Sequence, residues 1–152
     1  MLWLAFLIKR LHMTHITHLD HIAIATKNLT ESLDFFEKKL GLICTHIEEL
    51  PERGIRVAMI PIGDTRIELI EALREDSEIS VFLQKRGPGI HHLAFATENI
   101  DHDMKTLQDQ KIVLINEKPT QGAHGAKVGF IHPKSSGGLL VELCEHKILP
   151  GQ

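Results

Sequence analysis

The chain has 152 residues, 43% of them hydrophobic and 24% charged, which fits one folded domain and excludes a disordered or fibrous protein. Its 17 basic and 20 acidic side chains leave a formal net charge of −3, and without a Lys/Arg run there is no basic face for a phosphate backbone, so nucleic acid is not an expected partner. Only two cysteines, Cys44 and Cys144, stand against eleven histidines, so a thiol-reducing compartment is expected, cytoplasmic or, in a eukaryote, the mitochondrial matrix, and the chemistry should be sought at imidazoles.

The apolar run from Met1 to Ile8 is too short to cross a bilayer and has no small-residue cleavage site, so no membrane partner is expected. Residues 1–18 read as an N-terminal extension, either disordered or begun from an early start codon with Met13 as the true initiator, and the first twelve residues as dispensable. Histidines at 12, 15, 18 and 21 recur every third residue. On a strand that spacing alternates faces, so at most two of them can share a metal.

From position 21 the sequence patterns regularly. His21 to Ala25 alternates as a half-buried strand. Asn28 is placed to cap a helix whose apolar stripe is Leu29, Leu33, Phe36 and Leu40, ended by Gly41. Strand-like segments follow at 42–49, 55–62 and 66–72. Ser77 begins a linker helix within 76–86 that stops at Gly87-Pro88-Gly89. Then the pattern recurs: His92 to Ala96 is strand-like, Asn99 caps a helix with Ile100, Met104 and Leu107 as its stripe, and strands are expected at 112–117, 127–132 and 139–145. His21-Ile22-Ala23-Ile24-Ala25 thus matches His92-Leu93-Ala94-Phe95-Ala96 at a spacing of 71 residues, as Asn28 matches Asn99. The predicted architecture is α+β: two tandem βαβββ modules, about 19–73 and 90–146, in one domain over 19–146, forming a single curved mixed sheet with helices outside. Neither module alone buries enough surface for independent stability.

Within these matched strands the repeat preserves four polar residues, His21, Glu68, His92 and Glu142. Two imidazoles and two carboxylates form a mixed nitrogen and oxygen set that suits a divalent metal of the cobalt, manganese, iron, nickel or zinc type. His91 competes with His92 as the ligand. The repeat selects His92, because His91 matches Asp20 and should point to the opposite face. His46, His102, His124, His132 and His146 have no repeated partner and default to surface or packing roles.

Paired strand-helix-three-strand modules with metal ligands from both halves resemble the glyoxalase-type enzymes of the vicinal oxygen chelate superfamily. Within it the chain resembles the methylmalonyl-CoA epimerases, from Leu19 to Glu145, through DHIAIA at 20–25, PERGIRVAMIPIGDTRIELIEAL at 51–73, FLQKRGPGIHHLAF at 82–95 and HPKSSGGLLVEL at 132–143. The resemblance implies epimerisation of methylmalonyl-CoA at a divalent metal, cobalt first among the candidates, held by His21, Glu68, His92 and Glu142. It also implies Glu142 and Glu68 as bases, and a homodimer. Lys134, beside a Ser/Gly turn, is a candidate contact for the CoA phosphates. The sequence departs from one branch of the family that carries Glu at the position of Val57 and Gln at that of Glu68, so Glu48, Glu49 and Glu52 stand as alternatives for the second base. Glyoxalase I chemistry, or metal-free binding of a small molecule on the same fold, are the alternative functions.

Overall fold

A computed structural model describes residues 13–147; the expectations for residues 1–12 lie outside them. In chain order the elements are β1 (Ile16–Thr26), α1 (Leu29–Asp34) continuing as a π-helical turn (Phe35–Lys39), β2 (His46–Leu50), β3 (Ile55–Ile62), β4 (Thr65–Ala72), α2 (Glu78–Arg86), β5 (Gly89–Thr97), α3 (Ile100–Asp109), β6 (Thr120–Gln121), β7 (Lys127–Ile131) and β8 (Val141–Glu145). The α+β class and the twice-run order of strand, helix and three strands are those the repeat predicts. β1 begins at Ile16, three residues before the expected start of the first module.

Contacts divide the described residues into one unit of 19–94 and a second made of 13–18 and 95–147. β1 and β5 each contribute residues to both units. In the first unit the strands neighbour one another in the order β2-β3-β4-β1-β5. β1 runs parallel to β4, whereas β2–β3 and β3–β4 are antiparallel, so this sheet is mixed. In the second the order is β5-β8-β7-β6, with β6–β7 and β7–β8 antiparallel.

Each unit has its own apolar cluster, and the two are built from repeat-related positions. In the first, Leu29, Ala58, Ile60 and Leu69 are buried with Ile24, Leu33 and Phe36 packed against them. In the second, Ile100, Met104 and Leu143 are buried with Phe95 and Leu107 beside them. Each fully buried Leu, Ile or Met contributes about 1.5–3 kcal/mol. Both helices start as their sequences require: the Asn28 side chain accepts from the Glu31 N–H at 3.1 Å and that of Asn99 from the His102 N–H at 3.0 Å. Ser77 caps α2 in the same way, accepting from the Ser80 N–H.

Two expectations need correction. Leu40 does not complete the first helical stripe and is exposed. The helix widens into its π turn at Phe35, where the Leu40 N–H reaches back to the Phe35 carbonyl, and each residue of such a turn advances the face less than in an α-helix. The segment 112–117 is not a strand. Its neighbour β7 is met by one isolated bridge, Leu114 to Ile131. Side chains interrupt the ladder, since the Phe130 N–H donates to the Asn116 carboxamide and the Val113 N–H to the Ser135 hydroxyl.

Candidate metal centre

His21 on β1, Glu68 on β4 and His92 on β5 all lie in the 19–94 unit, and the structure brings them together. In the parallel register Ala23 sits beside Glu68, which places the Glu68 side chain on the sheet face that carries His21, two residues before Ala23. Alternation turns Leu69 and Ile67 to the other face, where they join the apolar cluster under α1. Ala23 and Ala94, each two residues after its histidine, are fully buried. These methyl groups leave the space above the strands to the polar side chains.

The Nε2 atoms of His21 and His92 are 3.3 Å apart. A Glu68 carboxylate oxygen, Oε2, stands 3.5 Å from the first and 3.9 Å from the second. All three residues are at most 5% exposed. Such a cluster of acceptor atoms in a buried place repels unless a proton or a cation lies among them. The donor set, two imidazole nitrogens and one carboxylate oxygen, fits a divalent ion of the borderline class, and the three residues form a group able to hold one.

The other face of each imidazole is also engaged. Asp20, itself 2% exposed, takes the Nδ1 of His21 at 2.7 Å on its Oδ2, and Arg66 donates to that same oxygen. The Thr65 hydroxyl donates to the main-chain carbonyl of Leu19 at 2.8 Å and to that of Asp20 at 3.2 Å. For His92 the partner on Nδ1 is the Nδ1 of His91, 2.8 Å away. His91 is half-buried and packs edge-on against Phe82.

Glu142 lies on β8 in the second unit, buried, opposite Phe130 of β7. Lys134 sits exposed in a single 3₁₀ turn, Pro133–Ser135, where its backbone N–H donates to His132. The three alternative acids separate clearly. Glu48 pairs with Val57, which pairs with Ile70, so Glu48 shares the sheet face of Glu68. Glu49 faces the other way beside Arg56, and Glu52 lies exposed in the β2–β3 turn.

Sequence reasoning passed over Asp20, although the repeat had already aligned it with His91. It was assigned to the far face of the strand, yet Nδ1 is the imidazole nitrogen nearest the backbone and stays within reach of a neighbouring carboxylate. Another repeated device also went unread: the Leu29 N–H donates to Glu71 and the Ile100 N–H to Glu145, while Arg56 pairs with Glu71 and Lys127 with Glu145. The signal was there, with the pairs recurring at the spacings, 71 and 74 residues, that relate His21 to His92 and Glu68 to Glu142. In the second unit, Asp103 is fully buried and accepts from the His15 backbone N–H and the Thr97 hydroxyl, with the His15 and His102 rings 4.9 Å apart. Its carboxylate is spent on anchoring the start of β1.

With this geometry in view, comparison with known proteins places the chain. The family model of the Glyoxalase/Bleomycin resistance protein/Dioxygenase superfamily matches residues 20–130. The human mitochondrial methylmalonyl-CoA epimerase is 40% identical over 126 residues, 82% of this chain and 72% of that protein. The chain belongs to the methylmalonyl-CoA epimerase family. These enzymes are isomerases, and their glyoxalase-like α+β fold is the one found here. A solved methylmalonyl-CoA epimerase in complex with methylmalonyl-CoA and NH4+ superposes with a TM-score of 0.83 at 34% identity, covering 86% of this chain and 94% of its own. Uncharacterized protein YqjC of Bacillus subtilis is 43% identical over 129 residues, 85% of this chain and 92% of that protein. Among the described residues no helix is long and apolar enough to cross a membrane.

Proposed function

We propose that the protein interconverts the two epimers of methylmalonyl-CoA at a divalent metal held by His21, Glu68 and His92, with Glu142 as the fourth ligand by its place in the repeat. The convergence of three buried ligand atoms from β1, β4 and β5 carries this reading, and family membership supplies the substrate. When bound, the ion acts as a Lewis acid toward the substrate's thioester and carboxylate oxygens, stabilising the negative charge left by loss of the α proton.

The chain's own residues move the proton. A carboxylate, Glu142, takes it from the carbon between the thioester and the carboxylate, leaving an enolate and a neutral Glu142. A carboxylic acid on the opposite side of that carbon returns a proton and is left ionised, so the two groups exchange protonation states at each inversion. Glu68 is the first candidate for that second group, and Glu48, sharing its sheet face, is the alternative. Lys134 contributes a cation for the CoA phosphates. Cobalt is the first candidate metal, with manganese, nickel, iron and zinc chemically admissible. A homodimer and a cytoplasmic location, or the mitochondrial matrix in a eukaryote, belong to the same reading.

The deciding experiment assays purified, metal-quantified protein on methylmalonyl-CoA and on the glutathione hemithioacetal of methylglyoxal. Epimerisation that follows metal content supports the proposal. Turnover of the hemithioacetal in its place transfers the site to glyoxalase I chemistry, and stoichiometric binding without turnover or metal to a sequestering protein.

A further inference from the structure

A neutral imidazole at position 21 would carry one proton, with two nitrogens competing for it. On one side, Asp20 Oδ2 lies 2.7 Å from Nδ1. On the other, Glu68 Oε2 lies 3.5 Å from Nε2 and His92 Nε2 lies 3.3 Å from it. A proton on Nε2 would donate to these acceptors and occupy the lone pair that a metal requires. A proton on Nδ1 leaves that lone pair open toward Glu68 and His92.

We propose that Asp20 is a positioning residue: held by Arg66 and by a backbone that Thr65 pins, it keeps the His21 proton on Nδ1 and thereby presents Nε2 as a ligand before any metal arrives. Distance favours Asp20 over Glu68 by nearly an ångström. Arg66, on the strand neighbour directly opposite His21 in the register, donates to the same Asp20 oxygen and holds that carboxylate in place. The residue preceding the second histidine is placed alike, since His91 meets Nδ1 of His92 at 2.8 Å. A carboxylate in one half and an imidazole in the other make His21 the more firmly oriented ligand.

The inference rests on His21 being a ligand, and its test separates the two claims. In metal-free protein labelled with nitrogen-15 at histidine, at about pH 8 where an ordinary imidazole is neutral, long-range proton–nitrogen spectra report which His21 nitrogen is protonated, the signal being assigned by its loss in His21→Gln. The parent is expected to hold the proton on Nδ1. In Asp20→Asn the proton moves to Nε2, where Glu68 receives it, and Co2+ affinity read by titration of the visible absorption falls about 10- to 100-fold. Arg66→Gln, at a side chain 29% exposed, leaves Asp20 in place but unheld and weakens Co2+ several-fold with a mixed tautomer. A parent protonated on Nε2 overturns the inference without any variant. So does an Asp20→Asn protein with the parent's tautomer and affinity, or, should that variant not fold, an Arg66→Gln protein indistinguishable from the parent. A parent that binds no Co2+ defeats the metal reading instead, and the tautomer still decides the role of Asp20.

Discussion

Removing the His21 or His92 imidazole takes one of three nitrogen and oxygen atoms from the buried cluster, and a methyl group replaces it with nothing a cation can use. His21→Ala or His92→Ala is therefore expected to strip most of the bound metal, read by elemental analysis after purification. His91→Ala keeps the stoichiometry, because its half-buried ring can be replaced on Nδ1 of His92 by water. Metal lost with His91 and kept without His92 would shift the ligand assignment by one residue. Glu68 is the more informative position. Glu68→Gln preserves an oxygen ligand and the side-chain volume but removes a basic lone pair. It is expected to keep substantial metal and lose epimerisation, with deuterium from heavy water still entering the α position on one face. If the metal-loaded variant epimerises near the parent rate, Glu68 is a ligand only and Glu48 becomes the proton donor to test.

At the scale of elements, the two helices start on the same combination: an Asn cap, plus a glutamate from the last strand of each module reaching the first helical N–H. A carboxylate there satisfies an orphan donor and favours the helix dipole. Glu71→Ala and Glu145→Ala should each cost about 1 kcal/mol, a fall in Tm of roughly 2–4 °C. The loss should be larger at Glu71, because half-buried Arg56 is left with only the longer contact to Glu49, at 4.0 Å. Lys127 has its pKa raised above the ordinary 10.5 by its hydrogen bond to Asp101, then by the charges of Asp101 and Glu145. A raised lysine stabilises fully below 10.5 and loses that contribution as pH rises through its folded value. Denaturant midpoints followed from about pH 10 to 12 should thus decline less steeply in Lys127→Met than in the parent. The elements best legible in the sequence were those with a bounded apolar run or a capped stripe, such as β3 at Ile55–Ile62 and the Asn99 helix. The segment 112–117 misled because its apolar residues read as a strand, while Asn116 and Ser135, which break its ladder, carry no local signature of doing so.

For the molecule as a whole, self-similarity was the informative signal. It reported the order of elements, the equivalence of the two apolar clusters and the positions of His21, Glu68 and His92. It did not report how contacts would partition the chain, since the contact units cut through β1 and β5 whereas the repeat treats each strand as whole. Nor did it report Asp20 and Arg66, whose meeting depends on the parallel register of β1 with β4, a long-range pairing that no local pattern encodes. A metal that binds only the native arrangement stabilises it by mass action. Saturating Co2+ at about a hundred times Kd should add roughly 2.7 kcal/mol, lost again on dialysis against a chelator. Thermal unfolding that ignores both treatments would count against a site built by folding.

β2 is the terminal strand of its unit in the hydrogen-bonding order, so one line of its backbone amides and carbonyls faces away from β3. A terminal strand can template the addition of a foreign strand, the first step toward aggregation. Ile47, exposed near the start of β2, would favour such addition, and the charges of Glu48 and Glu49 that follow it oppose it. Glu48 is then both a candidate acid for the chemistry and a guard of solubility. Selection on either property constrains the other, and a protein that gave up the carboxylate at this position would have to protect the rim by some other means.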